Sequence, residues 1–198
     1  MNIQKIKDNL KTTYIGRNII YFNEIGSTEE EAKRLAANHV QNGSAVIADM
    51  QTGGVGTHGR MWHTSANENI LMTLVLYPDC NVNKLEGITV NIANCIADVI
   101  WNLYNIKLEI KHPNDLVLSN RKIGGILAET KIVEGNAENL FIGIGLNINQ
   151  ENFPEEIADI ATSLKKEFGR EFSREKIISE ICNELESNCF NRFEYYNL

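Results

Sequence analysis

A chain of 198 residues, 43% of them hydrophobic, can bury one sizeable core, and it carries no repeat or low-complexity segment. Its formal net charge of -7 argues against a general nucleic-acid binder, and no run approaches the roughly 20 apolar residues of a membrane span. The first residues, Met1-Asn2-Ile3-Gln4-Lys5-Ile6, hold no apolar secretory core, and Cys80, Cys95, Cys182 and Cys189 show no metal-ligand spacing. These features predict a cytoplasmic protein with reduced thiols and with neither nucleic acid nor membrane as partner.

Ile3, Ile6 and Leu10 recur at helical spacing and predict a leading helix over 2–12. Ile19 to Phe22 predicts a strand. Ser27 and Thr28 then precede Glu30 and Glu31 at capping-box spacing, opening a helix through Ala32, Leu35 and Ala36. His39 sits at its end, where the macrodipole favours positive charge, a structural role. Strands are predicted at 44–49 and 70–77, with a glycine-rich loop between them. An amphipathic helix over 83–104 has Leu85, Ile88, Ile92, Ile96, Val99 and Leu103 on its inner face. Strands near 106–110, 115–118, 123–132 and 139–148 follow. A last helix over 173–194 carries Ile178, Ile181, Leu185, Cys189 and Phe193 along one stripe. Long helices beside a run of consecutive strands give an α+β domain with a mixed sheet, not strict βαβ alternation.

Gly54-Val55-Gly56-Thr57-His58-Gly59 matches G-x-G-x-x-G, but a dinucleotide fold needs a helix starting on the motif. Here Arg60-Met61-Trp62-His63 leads instead through polar residues to the next strand, so the Rossmann reading fails. What remains is a glycine-rich loop whose backbone N–H groups can face an anionic or planar ligand, with Arg60 as a charged fork and Trp62 as a flat wall. Further on, Lys111 closes the alternating run Ile106, Leu108, Ile110 and meets Pro113, Asn114 and Asp115. A cation pinned there suits a phosphate or a developing negative charge; the plainer reading is a Pro-Asn-Asp turn with a solvated lysine. His58, His63 and His112 lie nearby without metal-ligand spacing.

Together these segments resemble, in order and spacing, the catalytic domain of biotin protein ligases. The resemblance rests on Gly26-Ser27-Thr28, on Ala48-Asp49-Met50-Gln51-Thr52 with Gly54-x-Gly56-x-x-Gly59-Arg60-x-Trp62, and on Lys111-His112-Pro113-Asn114-Asp115. It continues through Arg121-Lys122-Ile123-Gly124-Gly125-Ile126-Leu127-Ala128-Glu129, Gly143-Ile144-Gly145-Leu146-Asn147 and Ala161-Thr162-Ser163-Leu164. It implies a mixed, largely antiparallel sheet packed with helices, related to class II aminoacyl-tRNA synthetases. It also implies one catalytic domain over 1–198, without an N-terminal DNA-binding domain or a C-terminal small β domain.

The implied activity has two steps: biotin and ATP give biotinyl-5′-AMP, and a lysine of a biotin carboxyl carrier protein or domain then takes the biotinyl group. Lys111 and Arg60 are the expected catalytic residues. Ser27, Thr28, Gln51, Gly54, Lys111, Gly125 and Leu127 are expected on biotin, and Gly56, Thr57, His58, Trp62, Asn114, Lys122 and Asn147 on the nucleotide. Mg²⁺ would bridge the phosphates, held by ATP and water with no dedicated protein ligand. Sheet-to-sheet homodimers are frequent in such a family, yet no segment of this chain identifies an interface.

The chain departs from the family pattern at several positions. Val55 and Thr57 stand where arginines are usual, and a charged hydrogen bond worth roughly 1.5–3 kcal/mol goes with the latter. That loss would loosen the hold on the adenylate. His112 replaces a tryptophan, and Glu29 replaces an asparagine beside Ser27 and Thr28. Two other readings therefore stay open: a ligase or acyltransferase for lipoate, octanoate or another acid, and a non-catalytic biotin-binding protein. The retained Lys111 and Lys122 argue against the last.

Overall fold

The computed structural model describes residues 1–78 and 80–190, and of His58 the backbone alone. Among these, eight strands form one sheet: β1 (Ile19–Phe22), β2 (Ser44–Ala48), β3 (Ile70–Leu76), β4 (Cys80–Asn81), β5 (Glu109–Lys111), β6 (Asp115–Leu118), β7 (Arg121–Val133) and β8 (Asn136–Leu146). Their order is β1-β2-β3-β8-β7-β6-β5, with β4 paired to β8. β1 and β2 run parallel, and the other described pairs are antiparallel. The helices are α1 (Ile3–Asn9), α2 (Thr28–Ala36), α3 (Ile88–Tyr104), α4 (Leu164–Phe168) and α5 (Arg174–Glu184), the last continuing as a π-helical turn, Leu185–Phe190. None of the described helices is long and apolar enough to cross a membrane.

Period-two alternation divides the two faces of the sheet. Ile70, Met72, Leu74 and Leu76 of β3 and Leu140, Ile142, Ile144 and Leu146 of β8 enter the main core, beneath Ile92, Ile96 and Val99 of α3 and Ile177, Ile178 and Ile181 of α5. The opposite face is covered only in part. There Ala32 and Ala36, small enough to let α2 lie close, pack on Val46, Val75 and Phe141. The rest of that face is the site described below.

Several boundaries differ from the sequence reading. The long helix starts at Ile88 because Gly87 takes φ +76; residues Val82–Leu85 form a separate 3-10 turn, although Leu85 still packs on the core. The strand expected at 106–110 shortens to β5, while Ile106 and Leu108 remain buried without strand pairing. β4 and α4 were not foreseen, being only two and five residues long. The final helix gives way to the π-helical turn, and Phe193 of its expected stripe lies outside the described residues. His39 falls just past α2 at φ +55. All four cysteines are buried.

Two buried carboxylates tie distant segments together. Asp49, just after β2, accepts from Arg174 of α5 at 2.6 Å, from the Met1 amino group at 3.0 Å, and from the Tyr21 hydroxyl. Burial opposes ionisation of Asp49, but those donors hold its carboxyl below the usual range. Desolvation and the bond to Asp49 push the Tyr21 phenol up to about 12. Glu186 similarly accepts the backbone N–H groups of Thr13, Tyr14 and Ile15 and the Thr13 hydroxyl, and these donors outweigh its burial.

Asp49→Asn should therefore lower the unfolding free energy by about 3 kcal/mol, because Arg174 is left buried and unpaired, as read by urea denaturation. For the native chain the sign follows from depressed carboxyls such as these two: their stabilisation is complete above about pH 5 and is lost as pH falls through the lower folded-state values. Thermal melts at descending pH read this directly.

Candidate functional site

β7 and β8 are bare over part of one face. Gly125 pairs with Gly145 and Leu127 with Gly143, so one edge of this face carries hydrogens where side chains would stand. The neighbouring strand supplies Leu71 opposite Gly145 and Thr73 opposite Gly143. The resulting trough, lined also by Ser27, Thr28, Glu29 and Gln51, holds about 530 Å³ including its open mouth. Trp62 closes over one end. A Cβ on Gly145 would lie 2.7 Å from the Trp62 ring, so only glycine allows this approach.

The polar end is organised by the start of α2. Ser27 caps the helix, its hydroxyl accepting from Glu29 N at 3.2 Å and Glu30 N at 3.5 Å. Gln51 Oε1 accepts from both the backbone N–H (2.6 Å) and the hydroxyl (2.8 Å) of Thr28. That hydroxyl is also 2.9 Å from the Thr73 hydroxyl. Backbone bonds from Thr52 N to Ile25 O and from Gly53 N to Gly26 O hold the two segments side by side.

A second cavity, of about 720 Å³, adjoins the first and shares Gly56, Thr57, Trp62 and Lys122 with it. Met61, Phe153, Ile157 and Ile160 give it an apolar wall, and Met61 and Ile160 are highly exposed. Asn147 lies on its floor. Its amide nitrogen donates to Thr162 O, while its Oδ1 is buried without a hydrogen-bond partner among the described residues. Trp62 Nε1 is likewise buried and unpartnered. Both orphans border space that a polar ligand can enter.

Lys122 stands at the junction of the two cavities. Its Nζ is 2.6 Å from Asp115 Oδ1 and 5.4 Å from the centre of the Trp62 ring. Strict alternation from Ile126 would send Lys122 into the core and Ile123 into the site. The reverse is observed, because the β6–β7 register shifts at Leu116/Val117, with Gly124 opposite Leu116 and Lys122 opposite Val117. This bulge gives Ile123 to the core and turns the ammonium to the ligand side.

The remaining expected residues divide as follows. Ser27, Thr28, Gln51, Gly125 and Leu127 line the first cavity, and Arg60, His63 and Asn147 the second. Asn114, expected on the nucleotide, lines the first cavity, held there by its Nδ2 donating to Ile126 O at 3.0 Å. Gly54 lines neither cavity. It lies under Gln51, whose Nε2 would be 2.6 Å from a Cβ on it. Lys111 is exposed at the end of β5, opposite Asp115 across the hairpin, and neither it nor His112 lines either cavity. His58 has its backbone in the 3-10 turn Thr57–Gly59, and its side chain lies outside the described residues.

The sequence reading missed Thr73 and the apolar wall of the second cavity. Thr73 had a signal, being the sole polar residue in the run Ile70–Leu76. So had Gly143 and Gly145, which alternate with Ile142, Ile144 and Leu146 and so mark one bare face.

Comparison with known proteins accords with this geometry. Residues 21–147 match the family model described as the biotin/lipoate A/B protein ligase family. The bifunctional ligase/repressor BirA of Bacillus subtilis is 36% identical over 179 residues, 89% of this chain and 55% of that protein. The biotin--[acetyl-CoA-carboxylase] ligase of Mycobacterium tuberculosis is 30% identical, over 83% of this chain and 61% of that protein. The chain thus spans little more than half the length of these relatives. Among solved structures, the Aquifex aeolicus biotin protein ligase in complex with biotin and ATP superimposes with a TM-score of 0.72 at 29% identity, covering 85% of this chain and 68% of that one. The Leishmania major ligase in complex with biotinyl-5-AMP gives 0.72 at 26% identity, covering 87% and 74%. On its sequence and its fold, this chain belongs to the biotin/lipoate A/B protein ligase family.

Proposed function

We propose that the chain joins biotin to ATP as biotinyl-5′-AMP and passes the biotinyl group to a lysine of a biotin carboxyl carrier protein. The observation that carries this reading is the meeting of two cavities at Lys122. A carboxylate reaching out of the first and an α-phosphate reaching in from the second would both face its ammonium. The carboxylate oxygen attacks the α-phosphorus and pyrophosphate leaves. In the second step the carrier amine attacks the acyl carbon, AMP leaves, and the amine proton passes to solvent. Lys122 serves both steps by stabilising negative charge that builds at the junction. The bound ligands of the Aquifex and Leishmania ligases support this reading.

In this assignment the polar cluster Ser27, Thr28, Gln51 and Thr73 holds the ureido ring, and Leu127 and Trp62 flank the aliphatic chain. Asn147 Oδ1, an acceptor without a donor, fits the exocyclic amine of adenine, and Phe153, Ile157 and Ile160 give the base an apolar wall. Among the described residues no group of three or more His, Cys, Asp or Glu is arranged to hold a metal. Mg²⁺ would therefore come with the nucleotide, shared between phosphates and water. Arg60, exposed on the rim of the second cavity, is the cation the glycine loop retains, while Val55 and Thr57 bring no charge to the first.

Biotin-dependent ATP–pyrophosphate exchange tests the reading. Lys122→Ala should lower exchange by about 100-fold or more, the scale of one lost preorganised charge contact. Lys111→Ala should stay within about threefold of the native rate, since its side chain is exposed and lines neither cavity. The opposite pattern would return the catalytic role to Lys111. Gly145→Ala should keep the fold but displace Trp62, weakening biotin binding by about tenfold or more in calorimetry. Thr57→Arg should slow release of biotinyl-5′-AMP by roughly tenfold to a hundredfold, the worth of one charged hydrogen bond, as read by stopped-flow.

A further inference from the structure

Among the described residues lining the first cavity, Glu29 is the one carboxylate. It is 6% exposed, and its Oε2 lies 3.8 Å from the point where a Cβ on Gly143 would stand, over the bare stripe. Its Oε1 is buried and accepts no aligned hydrogen bond from the described residues; Lys33 Nζ, 3.2 Å away, meets it as an ion pair only. That ammonium is shared, lying 2.8 Å from Glu129 Oε2 and 3.2 Å from Glu30 Oε1. One cation thus faces three carboxylates, and Glu29 is the most buried of them.

Charge is therefore distributed unevenly along the trough. Lys122 Nζ lies 3.4 Å from the Cβ position of Gly125, the partner of Gly145, while Glu29 lies over Gly143. Two residues of strand separate these points, about 7 Å. A ligand with a carboxylate at one end is favoured with that group toward Lys122, where it shares the ammonium with Asp115, and away from Glu29. Whatever lies at Glu29 meets a buried carboxylate whose one cation is shared with two others, so that it can accept a further donor.

We propose that Glu29 is a specificity-determining residue of the first cavity: its carboxylate accepts an N–H from the ring end of the acid and thereby selects biotin over acids that lack such a donor. The ureido ring of biotin carries N–H groups. Lipoate and octanoate carry none, and would leave the buried carboxylate with only its share of the Lys33 ammonium. A site built around a donor rejects the analogue without it far more strongly than an apolar pocket rejects a change of size. The proposal rests on the ligase reading above and deepens it.

A pH dependence follows. Burial and then the neighbouring Glu129 raise the Glu29 carboxyl, against the pull of Lys33. The charged groups around it are Glu30 and Lys33 on α2 and Glu129 on β7; β3 and β8 present Thr73, Phe141 and Gly143, which do not titrate, and Lys122 lies across the cavity. An N–H donor binds the ionised form, so biotin affinity is complete above the raised value and lost as pH falls through it.

The test is isothermal titration of the whole chain with biotin, lipoate and octanoate, from about pH 5 to about pH 8, for the native protein, Glu29→Gln and Glu29→Ala. Native protein should prefer biotin by about 100-fold or more. Glu29→Ala should lose about 30-fold or more of biotin affinity, with octanoate affinity equal or higher, and Glu29→Gln should lose the pH dependence while keeping the fold in thermal melts. Native biotin preference with both variants within about threefold of it and an unchanged pH profile would overturn the role of Glu29 and leave the ligase reading standing. Native preference for lipoate or octanoate would overturn both.

Discussion

The site depends on a sheet that must be filled on one face and empty on the other along the same two strands. β8 meets this with Ile142, Ile144 and Leu146 alternating with Gly143 and Gly145. One parity anchors the strand in the core, and the other leaves room for a ligand against the backbone. β7 repeats the device with Ile126 beside Gly125. Because the two strands pair Gly125 with Gly145, the bare positions adjoin, and Trp62 can lie across them.

Stability and binding meet on one short segment. Asp49 fixes the end of β2 to Arg174 and Tyr21, and two residues later Gln51 accepts from Thr28 at the start of α2. The polar end of the first cavity is thus held by a buried ion network below and a capped helix above. Its hydroxyls and amides are hydrogen-bonded to one another before a ligand arrives, which reduces the ordering cost of binding. Among the described residues the buried side-chain atoms without a hydrogen-bond partner, Asn147 Oδ1, Trp62 Nε1 and Glu29 Oε1, belong to residues that line the cavities, the last of them keeping its ion pair with Lys33. Buried polar atoms without partners are costly, and their gathering at open space is the mark of surfaces shaped for a ligand.

Much of the fold was legible because it follows from local periodicity. The run Ile70–Leu76, the inner face of α3 and the Ser27 cap are set by side-chain spacing and by one hydroxyl, and they stand where that spacing put them. The short elements were not legible. β4 exists because β8 offers it an edge, and α4 because Ser163 caps a five-residue turn ended by Gly169 at φ +66. Glu29 was visible as a departure from the family pattern, but its burial and its share in Lys33 arise from α2 docking beside Glu129.

The sequence by itself determined which strands could be buried, where Ser27 caps a helix and which loop is glycine-rich, because each is a matter of local pattern. It could not decide between two lysines. Lys111 follows an apolar alternation and Lys122 precedes a glycine pair, and both fit a phosphate-facing role by composition. What the assembled sheet adds is placement: one extra residue in β7 opposite β6 exchanges the faces of Lys122 and Ile123 and sets Lys122 where the two cavities meet, while the hairpin of β5 and β6 leaves Lys111 exposed. Register between strands is a property of the assembled sheet, set by what neighbouring strands bury, so the position of the ammonium became fixed only when the sheet did.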